Sequence, residues 1–514
     1  MKRHQQYVSG ALVSSSTYTP DRLVRGWASS RGSIQPVTKM EEKVIFKSLL
    51  SMIVVFLVST FAWLQISQAQ PQPVTTTNFN NSLGNALPNL PAATLRRPTE
   101  NVLENANVAI FIMHPYSSSV NYMGCTLLAQ RGFTTLCADS EFTNNPNGYY
   151  GYEQHAPGIK SAVDYLRNSV SNPAITKVLL FGGSMGAPMM AFYQNVAENG
   201  PRVCQDPEKI LPCVDTNLHN LPQADGIMMR DAHLGDALAT FTYVDPAIEN
   251  NACEPRNPAL DMFSAANGYD VERDAATYTK AFSRRYTTAQ ARRNQHLINE
   301  ALNLLRKTNK STGDPTHLGD DIPFEVVGST NARLFQPDIS LLKYTKKPHI
   351  LLARDGSRPE QIIESVRPPS GDREAALDCE ESTTTTNVHI WLGAHALRST
   401  PRRYTQTEND MTGVDYDSSA TSTVTNVKGI TVPLIIIAHT GHYFIRPDEI
   451  IYDFASSPDK TLAFNEGAVH GGGPCSACAL QIDPTLTPEQ ATAYFGDTFG
   501  RSFDFYAEWL NERF

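Results

Sequence analysis

The residues around position 184 constrain the fold more than any other part of the chain. The apolar run KVLLF at 177–181 leads into GGSMG at 182–186, and a helical pattern, APMMAFYQNVAE, follows at once. Small residues on both sides of the serine permit a sharp strand-to-helix turn, which lifts the hydroxyl within reach of a base. The helix offers its first N–H groups to a developing oxyanion. A phosphate-binding turn would need a different glycine spacing, so the pattern predicts that Ser184 is a nucleophile.

The order of apolar and helical segments predicts the sheet that carries this turn. Alternating strands and helices are typical of a parallel sheet with helices on both faces. The alternation stops near position 240 and returns at 430–438, where a strand is followed by a helix, a strand and a last helix. We therefore predict an α/β fold with a mostly parallel central sheet flanked by helices and a large, mainly helical insertion. The strands before the insertion are expected at 107–114, 133–139, 177–181 and 224–231, with helices at 122–130, 155–169 and 186–198.

The insertion itself carries few clear signals. An amphipathic helix is expected at 287–307, with Thr287 as N-cap and Gln290 three residues later, as in a capping box. Apolar runs at 350–352 and 388–392 predict two short strands.

The front of the chain differs from the rest. Residues 48–66 are apolar and uncharged, two lysines precede them, and the small-x-small sequence ending at Ala69 follows. This is the order of a secretory signal peptide with cleavage near Ala69, although about 19 apolar residues could also form an uncleaved anchor. We expect 40–69 to be the signal peptide, with Met40 as the true start and 1–39 as a doubtful leader. The remaining predicted divisions are a linker at 70–100, an α/β core at 101–239 and 429–514, and a cap at 240–428.

Charge and cysteine content narrow the function classes and the location. The net charge is −9 and no long basic run is present, so the composition argues against a nucleic-acid partner. An even number of cysteines, eight, in an exported chain predicts disulfides. Cys204 and Cys213 bracket a short loop that they could close, and Cys475 and Cys478 are expected to form a local disulfide or to bridge elsewhere. We expect a secreted or periplasmic protein, attached to a membrane only if the signal segment stays uncleaved.

Three short sequences resemble the α/β-hydrolase superfamily of the esterase and lipase kind. They are MHPY at 113–116, FGGSMG at 181–186 and EGAVHGG at 466–472. The resemblance covers the sheet-forming segments between about 105 and 475 and not the insertion, which by analogy forms a cap over the site. It implies that His470, after the last core strand, is the base. It also implies an oxyanion hole made by the N–H of Met185 and, because a proline precedes it, by the N–H of Tyr116.

The catalytic acid is the point at which the chain departs from that superfamily. The usual position after the strand at 430–438 falls at His442, which cannot serve as the acid. Asp448 and Glu449 follow at the start of the next helix, where a carboxylate is equally well explained by the helix N-terminus. A second solution within the fold places the acid after the preceding core strand, where Asp231 lies. We favour Asp231 and keep Asp448 and Glu449 as alternatives.

These residues predict an exported serine hydrolase that cleaves a carboxylic ester by a Ser-His-acid triad through an acyl-enzyme. No cofactor or metal is implied, and the expected partner is a small-molecule or lipid-like ester. The displaced acid keeps one alternative open, a non-catalytic hydrolase-like binding protein at the cell surface. A second alternative is an exopeptidase on the same fold, because fold alone does not fix the reaction.

Overall fold

A ten-stranded sheet forms the centre of the computed structural model, which describes residues 74–80, 87–99, 105–145 and 150–514. In chain order its strands are β1 (Val74–Asn80), β2 (Ala92–Pro98), β3 (Val108–His114), β4 (Thr134–Asp139), β5 (Lys177–Gly183), β6 (Gly226–Arg230), β7 (Tyr344–Leu352), β8 (Glu360–Glu364), β9 (Leu434–His439) and β10 (Lys460–Asn465). Their order across the sheet is β1-β2-β4-β3-β5-β6-β9-β10-β7-β8.

The sheet is parallel over its whole middle. From β4 to β7 every neighbouring pair is parallel, whereas β1, β2 and β8 join at the two ends in antiparallel fashion. Strands β3 and β5 have almost no exposed side chains, as expected of strands covered on both faces. The predicted mostly parallel sheet with an α/β-hydrolase-like fold is therefore confirmed.

Helices cover both faces of this sheet. Within the described residues, the helices of six or more residues are α1 (Met123–Ala129), α2 (Ala156–Ser169), α3 (Gly186–Asn199), α4 (Asp236–Tyr243), α5 (Lys280–Thr312), α6 (Ile445–Phe454), α7 (Ser476–Ile482), α8 (Pro488–Ala493) and α9 (Thr498–Asn511). Alternate residues of β3 enter two different cores, because side chains of a strand point to opposite faces. Ile110 packs in the core that α1 and α9 close, and Phe111 packs in the core that α2 and α3 close.

The segment at 240–428 is built around the 33-residue helix α5. A separate small core joins Leu297 and Ile298 of that helix to Trp391. Short antiparallel ladders make up much of the rest, pairing Ile248–Glu249 with Ala252–Arg256, Tyr269–Asp270 with Ala275–Ala276, Pro323–Val326 with Thr384–Asn387, Arg398–Ser399 with Val414–Asp415, and Thr405–Gln406 with Met411–Thr412. The segment also supplies β7 and β8, so it is not a separate cap: it completes one edge of the central sheet.

The expected linker at 70–100 is wrong. Residues Val74–Asn80 and Ala92–Pro98 are β1 and β2, paired in register from Val74 opposite Pro98 to Asn80 opposite Ala92. The Thr-rich composition resembled a linker because β1 is an edge strand whose side chains are mostly exposed. β-Branched threonine fits a pleated strand without needing a buried face.

Two local predictions within the insertion are also wrong. Helix α5 begins seven residues before the expected site, at Lys280, because Thr279 caps it by accepting the N–H of Phe282. Thr287 lies inside the helix and is buried. The expected strand at 388–392 is helical, because the Asn387 side chain accepts the N–H of Ile390 and starts a helical turn there.

All eight cysteines are paired. Cys204–Cys213 and Cys475–Cys478 form the two local disulfides considered from the sequence, and Cys125–Cys137 and Cys253–Cys379 form the others. The predicted leader at 1–39 and signal peptide at 40–69 lie outside the described residues. Within the described part of the chain, no helix has both the length and the apolar character needed to cross a bilayer.

Candidate active site

Ser184 lies in the sharp turn between β5 and α3. Its φ is +54°, in the left-handed region that non-glycine residues rarely adopt. Two neighbouring glycines make the turn sterically feasible. A Cβ at Gly182 would lie 2.3 Å from the backbone of Gly186, and a Cβ at Gly186 would lie 2.8 Å from the carbonyl oxygen of Met113. The turn therefore packs directly against the end of β3.

His470 lies in the loop after β10 and faces the serine. Its Nε2 is 2.8 Å from Ser184 Oγ, a normal hydrogen-bond distance. The loop is held on both sides of the ring: Val469 donates its N–H to the carbonyl of Gly473 at 2.9 Å, and Arg230 donates to the carbonyl of Gly471 at 3.2 Å. The His470 side chain is 38% exposed, so its ring borders open space.

Asp231 follows β6 and completes a chain of three side chains. Its Oδ2 lies 2.5 Å from His470 Nδ1, and its Oδ1 accepts the backbone N–H of His439 at 3.2 Å. The carboxylate is fully buried. Arg230, the charged residue next to it, forms no ion pair with Asp231 and reaches Tyr122 instead. The structure thus brings together Ser184, His470 and Asp231, the three residues favoured from the sequence.

The histidines and hydrogen bonds around Asp231 determine the tautomer of His470. Burial alone would raise the pKa of Asp231, but the nearby rings of His442 and His439 and the hydrogen bonds from His442 and His470 hold that pKa well below its ordinary value. An ionised carboxylate only accepts hydrogen bonds, so Nδ1 of His470 must be the donor. Nε2 is then left with its lone pair toward the Ser184 hydroxyl, as a general base requires.

The two alternative acids lie elsewhere. Asp448 is fully buried, accepts the N–H of Ala232 at 2.9 Å, and has its pKa held well above the ordinary value by burial and by the charge of Asp231. Glu449 accepts the N–H groups of Lys346 and Lys347 and pairs with Arg446 at 2.6 Å. Neither carboxyl group is recorded within hydrogen-bond distance of His470.

The two expected oxyanion donors differ in their surroundings. Met185 precedes the first residue of α3, and within the described part of the chain no acceptor is recorded for its backbone N–H. The N–H of Tyr116 is engaged, because it donates to Nδ1 of His114 at 3.3 Å. The N–H of Ser117 donates to the same nitrogen at 2.9 Å. The N–H of Tyr116 can donate to an oxyanion only after its hydrogen bond to His114 breaks.

Sequence reasoning missed a role for His442, which it treated only as the place where an acid is absent. Its Nδ1 lies 2.8 Å from Asp231 Oδ2, and its ring stacks on His470 with centroids 4.4 Å apart. Burial lowers the pKa of His442 to about 4, so the ring is neutral at pH 7. The ligand atoms of Asp231, His442 and His470 lie within 4.8 Å of one another and could approach a metal ion. The bonds of Asp231 to the two rings use the same atoms, so ion binding would disrupt the chain to Ser184.

No known family model matches the sequence, and no curated protein matches it. Several solved structures are similar in fold. Brefeldin A esterase, described as a bacterial homologue of human hormone sensitive lipase, is 10% identical over 93% of this chain and 89% of its own, with a TM-score of 0.36. Inhibited esterase B from Lactobacillus rhamnosis is 10% identical over 92% and 97%, with a TM-score of 0.34. The α/β hydrolase GrgF from Penicillium sp. sh18 is 13% identical over 86% and 99%, with a TM-score of 0.34. At these scores the likenesses carry no argument about activity, and the chain's own strand order and Ser184 turn define its α/β-hydrolase-like fold.

Proposed function

We propose that the protein is a serine hydrolase that cleaves a carboxylic ester, with Ser184 as nucleophile, His470 as general base and Asp231 as the acid. One observation carries this proposal: Ser184 Oγ lies 2.8 Å from His470 Nε2 while Nδ1 of the same ring lies 2.5 Å from Asp231. A strained turn at the serine has no structural benefit of its own, since a left-handed non-glycine residue costs about 1 kcal/mol or more.

In the proposed reaction, Ser184 Oγ attacks the ester carbonyl while its proton passes to Nε2 of His470. Asp231 stabilises the imidazolium that forms and keeps Nδ1 protonated throughout. The Met185 N–H stabilises the oxyanion, and Tyr116 adds a second donor when its bond to His114 opens. His470 then returns the proton to the leaving alcohol. Water then attacks the acyl carbonyl while its proton passes to Nε2 of His470. The bond between the acyl carbon and Ser184 Oγ breaks as His470 returns that proton to Oγ, and the carboxylic acid is released.

The hydrogen-bond chain favours this function over the non-catalytic binding protein. That alternative was motivated by the missing acid after β9, and Asp231 supplies an acid from a different strand. Nothing in the described residues favours an exopeptidase specifically, so it remains an outcome of the test below.

The test is hydrolysis of p-nitrophenyl esters of increasing acyl length, together with labelling by a serine-reactive phosphonate. We expect activity in the unaltered protein, its loss in Ser184→Ala and His470→Ala, and a phosphonate adduct on Ser184 by mass spectrometry. Ser311→Ala, on the exposed side of α5, and His219→Ala, with a side chain 59% exposed, are the matched controls and should retain full activity. Inactivity on every ester without labelling would overturn the proposal, and release of amino acids from peptides would favour the exopeptidase.

We also propose that the protein is exported, with cleavage after Ala69. Four disulfides support an oxidising compartment. The test is the intact mass and N-terminal sequence of the protein recovered outside the cytoplasm. A first residue of Gln70 is expected, whereas recovery only in the membrane fraction with the apolar segment retained would indicate an anchor.

A further inference from the structure

Arg333 of the insertion is a buried cation without a carboxylate partner. The residue is 5% exposed, and no carboxylate oxygen of the described residues lies within 4.0 Å of its nitrogens. Its Nη1 donates to the hydroxyl of Tyr443, and its Nη2 lies 3.4 Å from Nε2 of His233. Its Nε is buried and has no hydrogen-bond partner. Buried charges in proteins are normally paired, whereas this guanidinium has no carboxylate within ion-pair distance among the described residues.

Other buried arginines of the chain are either paired or used structurally. Arg446, 6% exposed, forms an ion pair with Glu449 at 2.6 Å. Arg367 donates to two main-chain carbonyl oxygens, at 3.0 and 2.7 Å, and so ties loops together. Arg333 donates to no main-chain carbonyl among the described residues. Its hydrogen bonds within the described residues reach only the side chains of Tyr443 and His233.

The surroundings of Arg333 connect it to the proposed triad. His233 donates its backbone N–H to the carbonyl of Ser184 at 3.2 Å. The ring of Phe444 contacts both His233 and His470, with its centroid 4.9 Å from the His233 ring and 5.4 Å from the His470 ring. Arg333, His233 and Phe444 line one small cleft, whose other walls include Phe335. The accessible surface of this small cleft is almost wholly apolar, and Arg333 is the charged residue among the described residues that line it.

Two tyrosine rings stabilise the cation without neutralising it. The guanidinium carbon lies 3.9 Å from the ring centroid of Tyr243 and 5.3 Å from that of Tyr443. The charge of Arg333 also acts on Asp372, but burial and the neighbouring Asp274 raise the pKa of that carboxyl above its ordinary value. Asp372 lies beyond ion-pair distance of the guanidinium, whose hydrogen bonds within the described residues go to Tyr443 and His233.

We propose that Arg333 binds a carboxylate carried by the substrate, so that the enzyme prefers esters with an anionic group on an apolar body over neutral esters. This proposal rests on the proposed hydrolase function. A guanidinium held by two rings is pre-organised for a carboxylate, since its fork of N–H groups matches the two oxygens. The experiment distinguishes a carboxylate on the acyl part of the ester from one on the alcohol part.

The experiment compares kcat/KM for matched pairs of anionic and neutral esters. Mono-4-nitrophenyl adipate and its methyl ester place the charge on the acyl side. 4-(Hexanoyloxy)benzoate and its methyl ester place it on the alcohol side. Each pair is assayed with the unaltered protein, Arg333→Gln, Arg333→Lys and the control Arg446→Gln, which removes an equally buried but paired arginine. The ratio within a pair does not depend on how much of a variant is folded.

We expect one anionic ester to be preferred at least tenfold by the unaltered protein, and Arg333→Gln to reduce its kcat/KM about 10- to 100-fold, the usual effect of a charged hydrogen bond. Arg333→Lys should retain part of the preference and Arg446→Gln all of it. A ratio near one in the unaltered protein, or equal losses on both members of a pair in Arg333→Gln, would overturn the inference while leaving the hydrolase proposal intact.

A binding measurement covers the case in which no ester is hydrolysed. Monomethyl adipate and dimethyl adipate are titrated calorimetrically into Ser184→Ala and into Ser184→Ala with Arg333→Gln. Binding of the half-ester alone, lost with Arg333, would support the anion site although the hydrolase proposal had failed. Equal binding by both proteins, or no binding, would reject the anion site.

Discussion

Two buried carboxyl groups near His470 allow a sharp test of the proposed triad. Asp231 and Asp448 are both fully buried, and each accepts a backbone N–H, from His439 and Ala232 respectively. Their charge states differ. Histidine neighbours hold the pKa of Asp231 well below its ordinary value, whereas burial and the charge of Asp231 hold the pKa of Asp448 well above it. Substitution by asparagine keeps the shape of each side chain, puts an NH₂ group in place of one oxygen, and removes a negative charge at Asp231 only.

Asp231→Asn should therefore abolish the function of His470. An amide offers both a donor and an acceptor, and its NH₂ group facing Nδ1 would favour the tautomer with the proton on Nε2. Nε2 could then no longer accept the Ser184 proton. The loss of the orienting carboxylate in a triad lowers kcat about 10⁴-fold, which corresponds to about 5 kcal/mol of transition-state stabilisation. Asp448→Asn should leave kcat within about threefold, because a protonated carboxyl is already neutral and the amide oxygen can still accept from Ala232.

The assay is kcat and KM on the best p-nitrophenyl ester at pH 7.5, with denaturant unfolding of both variants to confirm folding. The variants are isosteric, so each is the control for the other. Collapse of Asp448→Asn with survival of Asp231→Asn would refute the assignment of the acid. Survival of both would refute the view that a buried carboxylate orients His470 at all.

Three further predictions concern the turn, the pH dependence of stability and the disulfides. Gly182→Ala places a Cβ 2.3 Å from backbone atoms and should lower the free energy of unfolding by about 3 kcal/mol or more, with loss of activity. Gly473→Ala, whose Cβ has its nearest contact at 3.8 Å, should change neither stability nor activity. Equal unfolding midpoints for the two variants would contradict this prediction. Burial lowers the pKa of His439 to about 3, so the unfolded chain takes up its proton first as the pH falls below about 6.5, and stability declines by about 2 kcal/mol per such ring by pH 5. Glu153, with a pKa raised to about 7, and Asp448, with a pKa held well above its ordinary value, oppose this decline because each takes up its proton first in the folded chain. Five more histidines have lowered pKa values and add to the decline: His114, His155, His233, His395 and His442. An unfolding midpoint that rises from pH 7 to pH 5 would reject the prediction. A disulfide stabilises a fold more when it closes a longer loop in the unfolded chain. Replacing Cys253 and Cys379, which are 126 residues apart, by serine should therefore lower the free energy of unfolding by about 5 kcal/mol, against about 2 kcal/mol for Cys475 and Cys478, which are three residues apart. The reverse order of unfolding midpoints would disprove this argument.

The middle of the fold and the Ser184 turn could be predicted because their signals are local. β3, β5 and β9 are buried on both faces, so they are continuous apolar runs that no loop would tolerate. The turn needs small residues at 182 and 186 for steric reasons that act over five residues, and the sequence shows them directly. Asp231 and His470 are more than 200 residues apart, yet each follows a readable strand end.

The edges of the sheet could not be predicted because they bury little. β1 presents exposed threonines, and β8 has one buried residue, Ile363, in five. Neither strand has the apolar pattern from which a strand is recognised. β7 was found only at its last three residues, since Lys346 and Lys347 interrupt its apolar run and their N–H groups are bound by Glu449 instead of by a neighbouring strand.

The identity of the catalytic acid could not be decided from the sequence for a different reason, because it depends on how segments far apart in the chain pack together. From the sequence, Asp448 lies closer than Asp231 to the expected position at His442. In the structure both are buried near the same place, and helix α6 points Asp448 at the backbone of Ala232 while the turn after β6 points Asp231 at His470. The space in which an acid from β9 would lie is filled by the His442 ring, stacked 4.4 Å from His470 and 2.8 Å from the Asp231 carboxylate. This ring lies beside the Asp231–His470 pair, and its contact with the carboxylate helps to hold the pKa of Asp231 below its ordinary value. The acid and the histidine thus depend on each other, so replacing His442 should raise the pKa of Asp231 and weaken the same bond that Asp231→Asn removes.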